Sequence, residues 1–234
     1  MARLETPVLP LRLFRYRSLT RSPNALDEEI NAVRENYLYC STFDKMNDPM
    51  EGYFRPARSF KGHTDYKASL KRIVGEKTSI GVSCFSETSD DLLMWTHYAG
   101  NHSGVCVAYS TSRLVDGLSE QVSLVRLGYG DAPPLISSSE ARNAERTARK
   151  ILSQKKLNWA YEREWRVLGT VGRVQINGRQ AVTDVYFGSR VSAAHRQKFL
   201  SKLQGTSICA YSMQVDEYNH DWEPVNAAAK RKSG

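Results

Sequence analysis

The chain has 234 residues, of which 41% are apolar and 25% are charged. This composition is that of an ordinary globular protein, and it argues against a disordered one. The formal net charge is +8 at pH 7, so the field of the protein attracts anions such as nucleotides and nucleic acid. The length predicts one domain, because a single hydrophobic core still grows at this size.

The sequence predicts neither a membrane anchor nor secretion. No run approaches the roughly 18 apolar residues that a membrane span needs, and the N-terminus lacks a long apolar segment followed by a cleavage site. The four cysteines lie far apart, without CxxC spacing, which argues against a zinc site and against a disulfide scaffold. We therefore expect free, buried thiols in a cytoplasmic protein.

The predicted elements follow from apolar periodicity and from capping residues. Strands are predicted, in chain order, at 11–17, 37–43, 79–85, 104–110, 164–171, 182–188 and 207–213. Helices are predicted at 23–36, 65–75, 89–100, 138–157 and 193–203. Parallel pairing requires a long crossover, usually a helix, between two consecutive strands. Several neighbouring strands of this sequence have no helix between them. The fold class is therefore α+β, with a mixed or antiparallel sheet and flanking helices.

Three segments divide the chain. Residues 1–10 are read as an N-terminal extension, residues 11–220 as a single domain, and residues 221–234 as a basic, flexible tail. The tail ends in AKRKSG, which lacks an apolar pattern and is typical of a solvated terminus.

The first candidate site is the loop 47-NDPMEG-52, which follows a predicted strand. Asn47, Asp48 and the proline suit a tight turn, because short polar side chains bond to nearby backbone amides. The functional alternative is that the loop holds Asn47, Asp48 and Glu51 beside a ligand.

The second candidate is the passage 84-CFSETSDDLLMWTHYAGNHSGV-105. Trp95 and Tyr98 lie at helical spacing and are more often core residues than a cofactor stack. The density of polar groups, including Ser86 and His97, favours a cleft at one end of a sheet.

The third candidate is Arg15-Tyr16 on the first strand. Alternating arginines protect an edge strand against aggregation, so a structural role is one interpretation. If Arg15 faces inward, its fork of donors suits a phosphate or a carboxylate.

The fourth candidate is 161-YEREWRVLG-169, in which Glu162 and Glu164 flank one arginine. If both glutamates lie on one strand, they share a face, and burial together raises the pKa of each. Glu164 immediately precedes the apolar run, so we expect the sheet to hold it rigidly.

Together these segments resemble the bacterial domain-of-unknown-function family 2971. The resemblance spans about residues 12–192 and is carried by FRYRS, YLYCSTFDKMNDPMEG, CFSETSDDLLMWTHYAGNHSGVCVAY, WAYEREWRV and TDVYFGSRVS.

The order of these segments is also similar, more distantly, to the ADP-ribosyltransferase fold. That resemblance implies a split sheet that clasps NAD, with Glu164 at the nicotinamide ribose, Arg15 at the cofactor and Tyr98 or Trp95 as an aromatic contact. Only 41-STF-43 stands where the arginine-specific branch has an STS motif, which departs from that branch.

The resulting hypothesis is an NAD-dependent ADP-ribosyltransferase-like enzyme or NAD glycohydrolase, acting without a metal as a toxin or phage-defence effector. Glu164 and Glu162 are its catalytic candidates, and Glu164→Gln is expected to be nearly silent structurally. The NAD-binding candidates are Arg15, Tyr16, Asn47, Asp48, Glu51, Ser86, Trp95, His97 and Tyr98. A nucleic acid or a protein would accept the ADP-ribose, and an antitoxin or immunity protein would be a further partner.

Two alternatives come from other classes. A non-catalytic nucleic-acid-binding module would use aromatic and basic residues along a groove, with structural carboxylates. A Mg²⁺-dependent nuclease would use Asp48, Glu51 and Glu164 as metal ligands.

Overall fold

The computed structural model describes residues 9–226 and 228–230. The helices are α1 (Ala25–Arg34), α2 (Arg58–Lys61), α3 (Tyr66–Ser79), α4 (Leu92–Tyr98), α5 (Thr111–Gly117), α6 (Ala144–Ile151) and α7 (Ala193–Leu203). The strands from β1 to β7 are Arg12–Arg17, Tyr37–Cys40, Arg55–Pro56, Ile80–Ser86, Val105–Ser110, Ser123–Arg126 and Gly128–Gly130. Those from β8 to β14 are Leu135–Ile136, Gln154–Lys156, Glu164–Thr170, Gly172–Gln175, Val182–Phe187, Cys209–Asp216 and Asn219–Pro224.

The α+β class with mixed sheet pairing is confirmed by these elements. The chain contacts group into two compact units, each built from separated segments. Unit 1 comprises residues 1–36, 87–117 and 176–234, and unit 2 comprises residues 37–86 and 118–175. The interpretation of 11–220 as one domain stays a prediction.

Unit 1 is organised around the strand order β14-β13-β12-β5-β1. β12 and β13 are parallel because α7 connects them, and the other neighbouring strands in this order pair antiparallel. Helix α7 packs on this sheet through Phe199, whose ring meets Phe187 edge to face at 5.5 Å. Ser192 begins the helix by accepting a hydrogen bond from the His195 amide, as an N-cap serine does.

Unit 2 contains the antiparallel strand order β4-β10-β6 and three two-stranded pairs. Strand β10 is buried over most of its length because it lies between β4 and β6. The pairs β7–β9 and β3–β8 are parallel, and β11 pairs antiparallel with β2. Ile73 of α3 and Ile151 of α6 share one apolar cluster, which fixes these two helices over the unit.

Two predicted boundaries are wrong. The long helix expected at 138–157 is reduced to α6, which Asn143 begins by accepting a hydrogen bond from the Arg146 amide. Past α6 the chain forms β9, because it pairs in parallel with β7. The tail expected from residue 221 instead contributes Asp221–Pro224 to β14, which pairs with β13. Its residues 227 and 231–234, like residues 1–8 of the predicted extension, lie outside the described residues.

Substitution by alanine is expected to have opposite effects at two glycines of unit 2. A Cβ on Gly81 would lie 2.3 Å from the Thr170 carbonyl oxygen, whereas one on Gly75 meets nothing within 4 Å. Gly81→Ala is therefore expected to destabilise the protein by about 1–3 kcal/mol, because the β4 and β10 backbones must separate. Gly75→Ala, within α3, is expected to stabilise it by about 1 kcal/mol. Urea unfolding of both variants checks the pair, and equal midpoints would contradict the close approach.

Candidate functional site

Glu162 and Glu164 meet at one ammonium group. Glu162 ends a 3₁₀ helix at Leu157–Glu162, and Glu164 begins β10. Arg163 between them has φ 46°, a left-handed conformation that turns the chain between the two elements. Lys155 Nζ donates to Glu162 Oε2 and, at 2.9 Å, to Glu164 Oε2. The condition for a shared strand face is therefore not met, because Glu162 lies outside β10, but the two carboxylates do converge on Lys155.

Arg166 joins this pair of glutamates to the loop after β2. Its Nε donates to Glu164 Oε1 at 2.7 Å, and its terminal nitrogens donate to both oxygens of Glu51 at 2.7 and 2.8 Å. The Arg166 and Glu51 side chains are 1% and 2% exposed. Such two-pronged pairing is the strongest geometry available to an arginine and a carboxylate.

The five charged residues form what we term the buried charge cluster, which consists of Glu51, Lys155, Glu162, Glu164 and Arg166. It contains three carboxylates and two cationic groups, and each of these side chains is at most 5% exposed. Buried charges are tolerated only when they are paired and hydrogen-bonded. The cluster by itself therefore has a net charge of −1, which is partly offset by the neighbouring buried Lys77, whose charge acts on Glu51.

The loop that carries Glu51 is held by a buried lysine. Lys77 Nζ donates to the Gly52 carbonyl at 2.7 Å and lies 4.3 Å from the centre of the Phe43 ring, a cation–π distance. Asp48 Oδ1 accepts a hydrogen bond from the Met50 amide at 2.9 Å. Asp48 therefore stabilises a turn and Glu51 joins the buried charge cluster, while the predicted contact of this loop with a ligand stays a prediction.

Electrostatics keep Glu164 ionised. Burial alone would raise its pKa, but the charges of Arg166 and Lys155 outweigh burial and lower the pKa to about 2. Burial would likewise lower the pKa of Lys155, but Glu164 and Glu162 raise it above the ordinary value. The adjacent Cys84 thiol has a raised pKa, chiefly through burial and then through the charge of Glu164. It is a neutral neighbour rather than a reactive thiolate.

The lowered pKa of Glu164 predicts acid sensitivity. A carboxyl group with pKa about 2 when folded and about 4.3 when unfolded stabilises the fold above the unfolded value. That contribution, about 3 kcal/mol, is lost as the pH falls from about 5 to about 2. Urea midpoints measured across this range should fall more steeply for the wild type than for Glu164→Gln. Parallel pH profiles would show that Glu164 makes no such contribution.

A cavity of about 250 Å³ lies against the buried charge cluster within unit 2. Its wall includes Glu51 and Lys155 of the cluster, together with Asp48 from the same loop. The remaining lining residues are Met50, Tyr53, Arg55, Gly130, Asp131, Ala132, Pro133, Pro134, Gln154 and Lys156. The cavity is smaller than the roughly 300–1,000 Å³ of most small-molecule sites. It therefore has room for one part of a dinucleotide.

The structure groups the predicted site residues by unit. Asp48, Glu51, Ser86, Glu162 and Glu164 lie in unit 2, where Ser86 is buried and pairs with Glu164 in the β4–β10 register. Asn47 also lies in unit 2 but is exposed and does not line the cavity.

The other candidates, Arg15, Tyr16, Trp95, His97 and Tyr98, lie in unit 1. Arg15 faces inward and is 4% exposed. The Tyr16 hydroxyl donates to the Thr88 carbonyl at 3.0 Å. Neither arrangement tests a contact with NAD, so their roles stay predictions.

Trp95 is a core residue rather than an exposed stacking surface. It is fully buried, its Nε1 donates to the Ser89 carbonyl, and its ring packs edge to face against Tyr16 at 5.3 Å. The predicted stacking of Trp95 on a ligand is therefore wrong, because no face of the ring is accessible. His97 is exposed and Tyr98 is half-buried on the same helix.

Two members of the buried charge cluster, Arg166 and Lys155, are not among the residues that the sequence predicts for the site. Arg166 lies two residues after Glu164, on the same face of β10, so the period of a strand could have identified it. The sequence gives no local signal for Lys155, because its apolar and capping pattern predicts a helix there. Its role follows from the parallel pair β7–β9, which places it opposite Tyr129.

The structure contradicts one expectation about Glu164. Its two oxygens accept hydrogen bonds from Arg166 and Lys155, so glutamine at this position would present an amide donor to a cationic donor. Glu164→Gln is consequently not structurally silent.

Among residues 9–226 and 228–230, no three His, Cys, Asp or Glu side chains are placed to hold a metal ion. No helix of that part of the chain is both long and apolar enough to cross a membrane. The four cysteines are free, as expected.

Comparison with known proteins found a match to one family model, over part of the chain. The family model described as "Protein of unknown function (DUF2971)" matches residues 94–167, which confirms the predicted resemblance over that segment. The match includes four members of the buried charge cluster, and it ends before β11. No curated protein and no solved structure matches the chain.

Proposed function

We propose that the protein is an NAD-consuming enzyme of the ADP-ribosyltransferase type, with its reaction centre where the buried charge cluster meets the cavity. The observation that carries the proposal is the ionised Glu164 in a cluster with one carboxylate in excess. A negatively charged group that is held in place beside a cavity stabilises positive charge that develops during a reaction. The scissile bond of NAD develops such a charge on its ribose.

The chemistry requires the bond between ribose C1′ and the nicotinamide nitrogen to break. The electron pair leaves with nicotinamide, and an acceptor oxygen or nitrogen then bonds to C1′ and releases its proton. When water is the acceptor, the products are ADP-ribose, nicotinamide and a proton. The chain's own contribution is electrostatic, because preorganised charges stabilise the transition state without reorienting.

Lys155 is the residue through which a ligand reaches Glu164. It lines the cavity, and its ammonium group lies on Glu164 Oε2. Arg166 donates to both oxygens of Glu164, and Glu164 itself does not line the cavity, so a ribose hydroxyl that enters from the cavity reaches Glu164 Oε2 by displacing Lys155. Lys155 keeps Glu162 as a partner during this exchange, so its charge stays paired.

The full pairing of Glu164 also favours a second candidate, the non-catalytic nucleic-acid-binding module. If the carboxylates serve only to pair Arg166 and Lys155, the basic residues remain for binding. Unit 2 holds 18 Lys and Arg against 11 Asp and Glu, a net charge that suits a phosphate backbone. This reading predicts affinity for nucleic acid that falls steeply with salt and does not depend on Glu164.

The structure lends no support to the Mg²⁺-dependent nuclease. Glu51 and Glu164 are both bonded to the guanidinium of Arg166, so that group already serves as the cation between them. A metal ion there would repel it at close range.

Nicotinamide release from NAD by the purified protein tests the proposal, with separate additions of DNA, RNA and a protein extract. Release by the wild type supports glycosyl chemistry, and the addition that accelerates it identifies the class of acceptor. A toxin or phage-defence role would follow from a nucleic-acid or essential-protein acceptor. No release by folded protein under any of these conditions would overturn the proposal in favour of the binding module.

A further inference from the structure

Two cationic side chains at the cavity lack the pairing that characterises the buried charge cluster. Arg55 and Lys156 line the cavity and are exposed. Their side chains have no hydrogen bond or ion pair among the described residues. The backbone nevertheless fixes both positions, because Arg55 in β3 pairs with Leu135 and Lys156 in β9 pairs with Gly130. They are cations in defined places with no partner within unit 2.

A carboxylate on the same wall has an available oxygen. Asp48 is 6% exposed and lines the cavity, and its Oδ1 accepts from the Met50 amide. Its Oδ2 accepts no hydrogen bond from the described part of the chain, and this oxygen is accessible rather than fully buried. A carboxylate oxygen in this state accepts a hydrogen bond from a ligand hydroxyl.

The other charged lining residues do not compete for the two cations. Glu51 is bonded through both oxygens to Arg166, and Asp131, which is exposed, forms no ion pair with Arg55 or Lys156 among the described residues. Unit 2 as a whole carries +7 of the net charge of +8, which attracts anions to this unit, whereas the cavity lining itself holds three cationic and three acidic side chains. Tyr53, which is 59% exposed, adds an aromatic ring to the wall.

We infer that the cavity binds the 5′-phosphorylated ribose of a nucleotide, with its phosphate on Arg55 and Lys156 and a sugar hydroxyl on Asp48. Arginine and lysine are the usual phosphate partners, and charge-assisted hydrogen bonds are the stronger kind. A cavity of about 250 Å³ suits a phosphosugar better than a whole dinucleotide. The inference rests on the proposed function only where it names this phosphosugar as part of NAD. It assigns the phosphate to Arg55 and Lys156, whereas the sequence predicts Arg15 as the cofactor contact.

Calorimetric titration tests the assignment without requiring turnover. The ligands are ribose 5-phosphate, ribose, inorganic phosphate and NAD, and the proteins are the wild type, Arg55→Ala/Lys156→Ala and Asp48→Asn. Arg58→Ala/Lys61→Ala is the matched control, because it removes the same charge from exposed residues of α2 that do not line the cavity.

The double variant at the cavity is expected to bind ribose 5-phosphate about tenfold to a hundredfold more weakly, with the control within about twofold of wild type. Asp48→Asn should weaken ribose 5-phosphate binding and leave inorganic phosphate unchanged. Equal affinity of the wild type and the double variant would overturn the inference. So would inorganic phosphate binding as tightly as ribose 5-phosphate, or wild type that binds neither ribose 5-phosphate nor NAD.

The inference and the proposed function fail in different ways. If the double variant loses affinity for ribose 5-phosphate while the wild type releases no nicotinamide, the binding site is supported and the proposed chemistry is contradicted. If nicotinamide is released by the double variant with an unchanged KM for NAD, the chemistry stands and the phosphate site falls.

Discussion

Replacing Arg166 by methionine is expected to lower the free energy of unfolding by about 3–5 kcal/mol, the cost of removing one partner from a buried ion pair. The variant leaves Glu51 and Glu164 without the guanidinium that bonds to both. It also leaves the Leu152 carbonyl without its Arg166 donor. Methionine restores the volume but no donor, so the loss comes from unpaired charge rather than from a void. Urea unfolding at neutral pH measures the effect.

The matched control is Arg146→Met, which removes an exposed arginine from α6 in the same unit. It is expected to change the free energy of unfolding by less than about 0.5 kcal/mol. Equal stability of Arg166→Met and the control would mean that Glu51 and Glu164 are solvated in solution. A second check is the pH profile of Arg166→Met, since unpaired buried carboxylates take up protons and regain stability as the pH falls.

The sheet elements near the site could be predicted because their sequences carry strong local signals. The segment EWRVLGT combines apolar and β-branched residues, and it forms β10, as predicted. The same reasoning failed for 138–157, where the helical signal of ARNAERTARKI is real but ends at Ile151. Residues of β9, which follow, pair with β7. No local sequence pattern predicts pairing with a strand that lies 26 residues earlier in the chain.

The buried charge cluster could be predicted only in part, for a similar reason. Glu162 and Glu164 stand out because two acids border an apolar run. Glu51 was recognised as part of a polar loop, but its partner Arg166 is 115 residues away. Ion pairs at such separation depend on the tertiary arrangement, which spacing along the sequence does not encode.

Trp95 shows how a core tryptophan and a ligand-stacking tryptophan differ physically. A tryptophan that stacks on a ligand must leave one ring face accessible, whereas Trp95 is fully buried among Tyr16, His102 and Trp222. Helical spacing indicated burial of one face of α4, and that signal was sufficient. The aromatic side chain at the cavity is instead Tyr53, in the loop that the sequence marked only for its polar residues.

Glu164→Gln is expected to reduce nicotinamide release by about 10²- to 10³-fold, the usual loss when one preorganised electrostatic contact is removed. The reason is specific to this cluster, since loss of the Glu164 charge leaves two carboxylates against two cations. The cluster, which meets the cavity wall through Glu51 and Lys155, then has no net negative charge. The variant is also expected to lose about 3 kcal/mol of stability, because Arg166 and Lys155 lose their shared anion.

These two effects can be separated by measuring the rate per folded molecule, below the melting temperature of the variant. Glu145→Gln is the control, because Glu145 is exposed and forms only an i,i+4 pair with Arg149, worth about 0.3–0.5 kcal/mol. A variant that is destabilised yet releases nicotinamide at the wild-type rate would show that Glu164 serves only to pair Arg166 and Lys155. The charge excess would then play no part in the chemistry, and the same cluster would be a structural support for a cavity that binds.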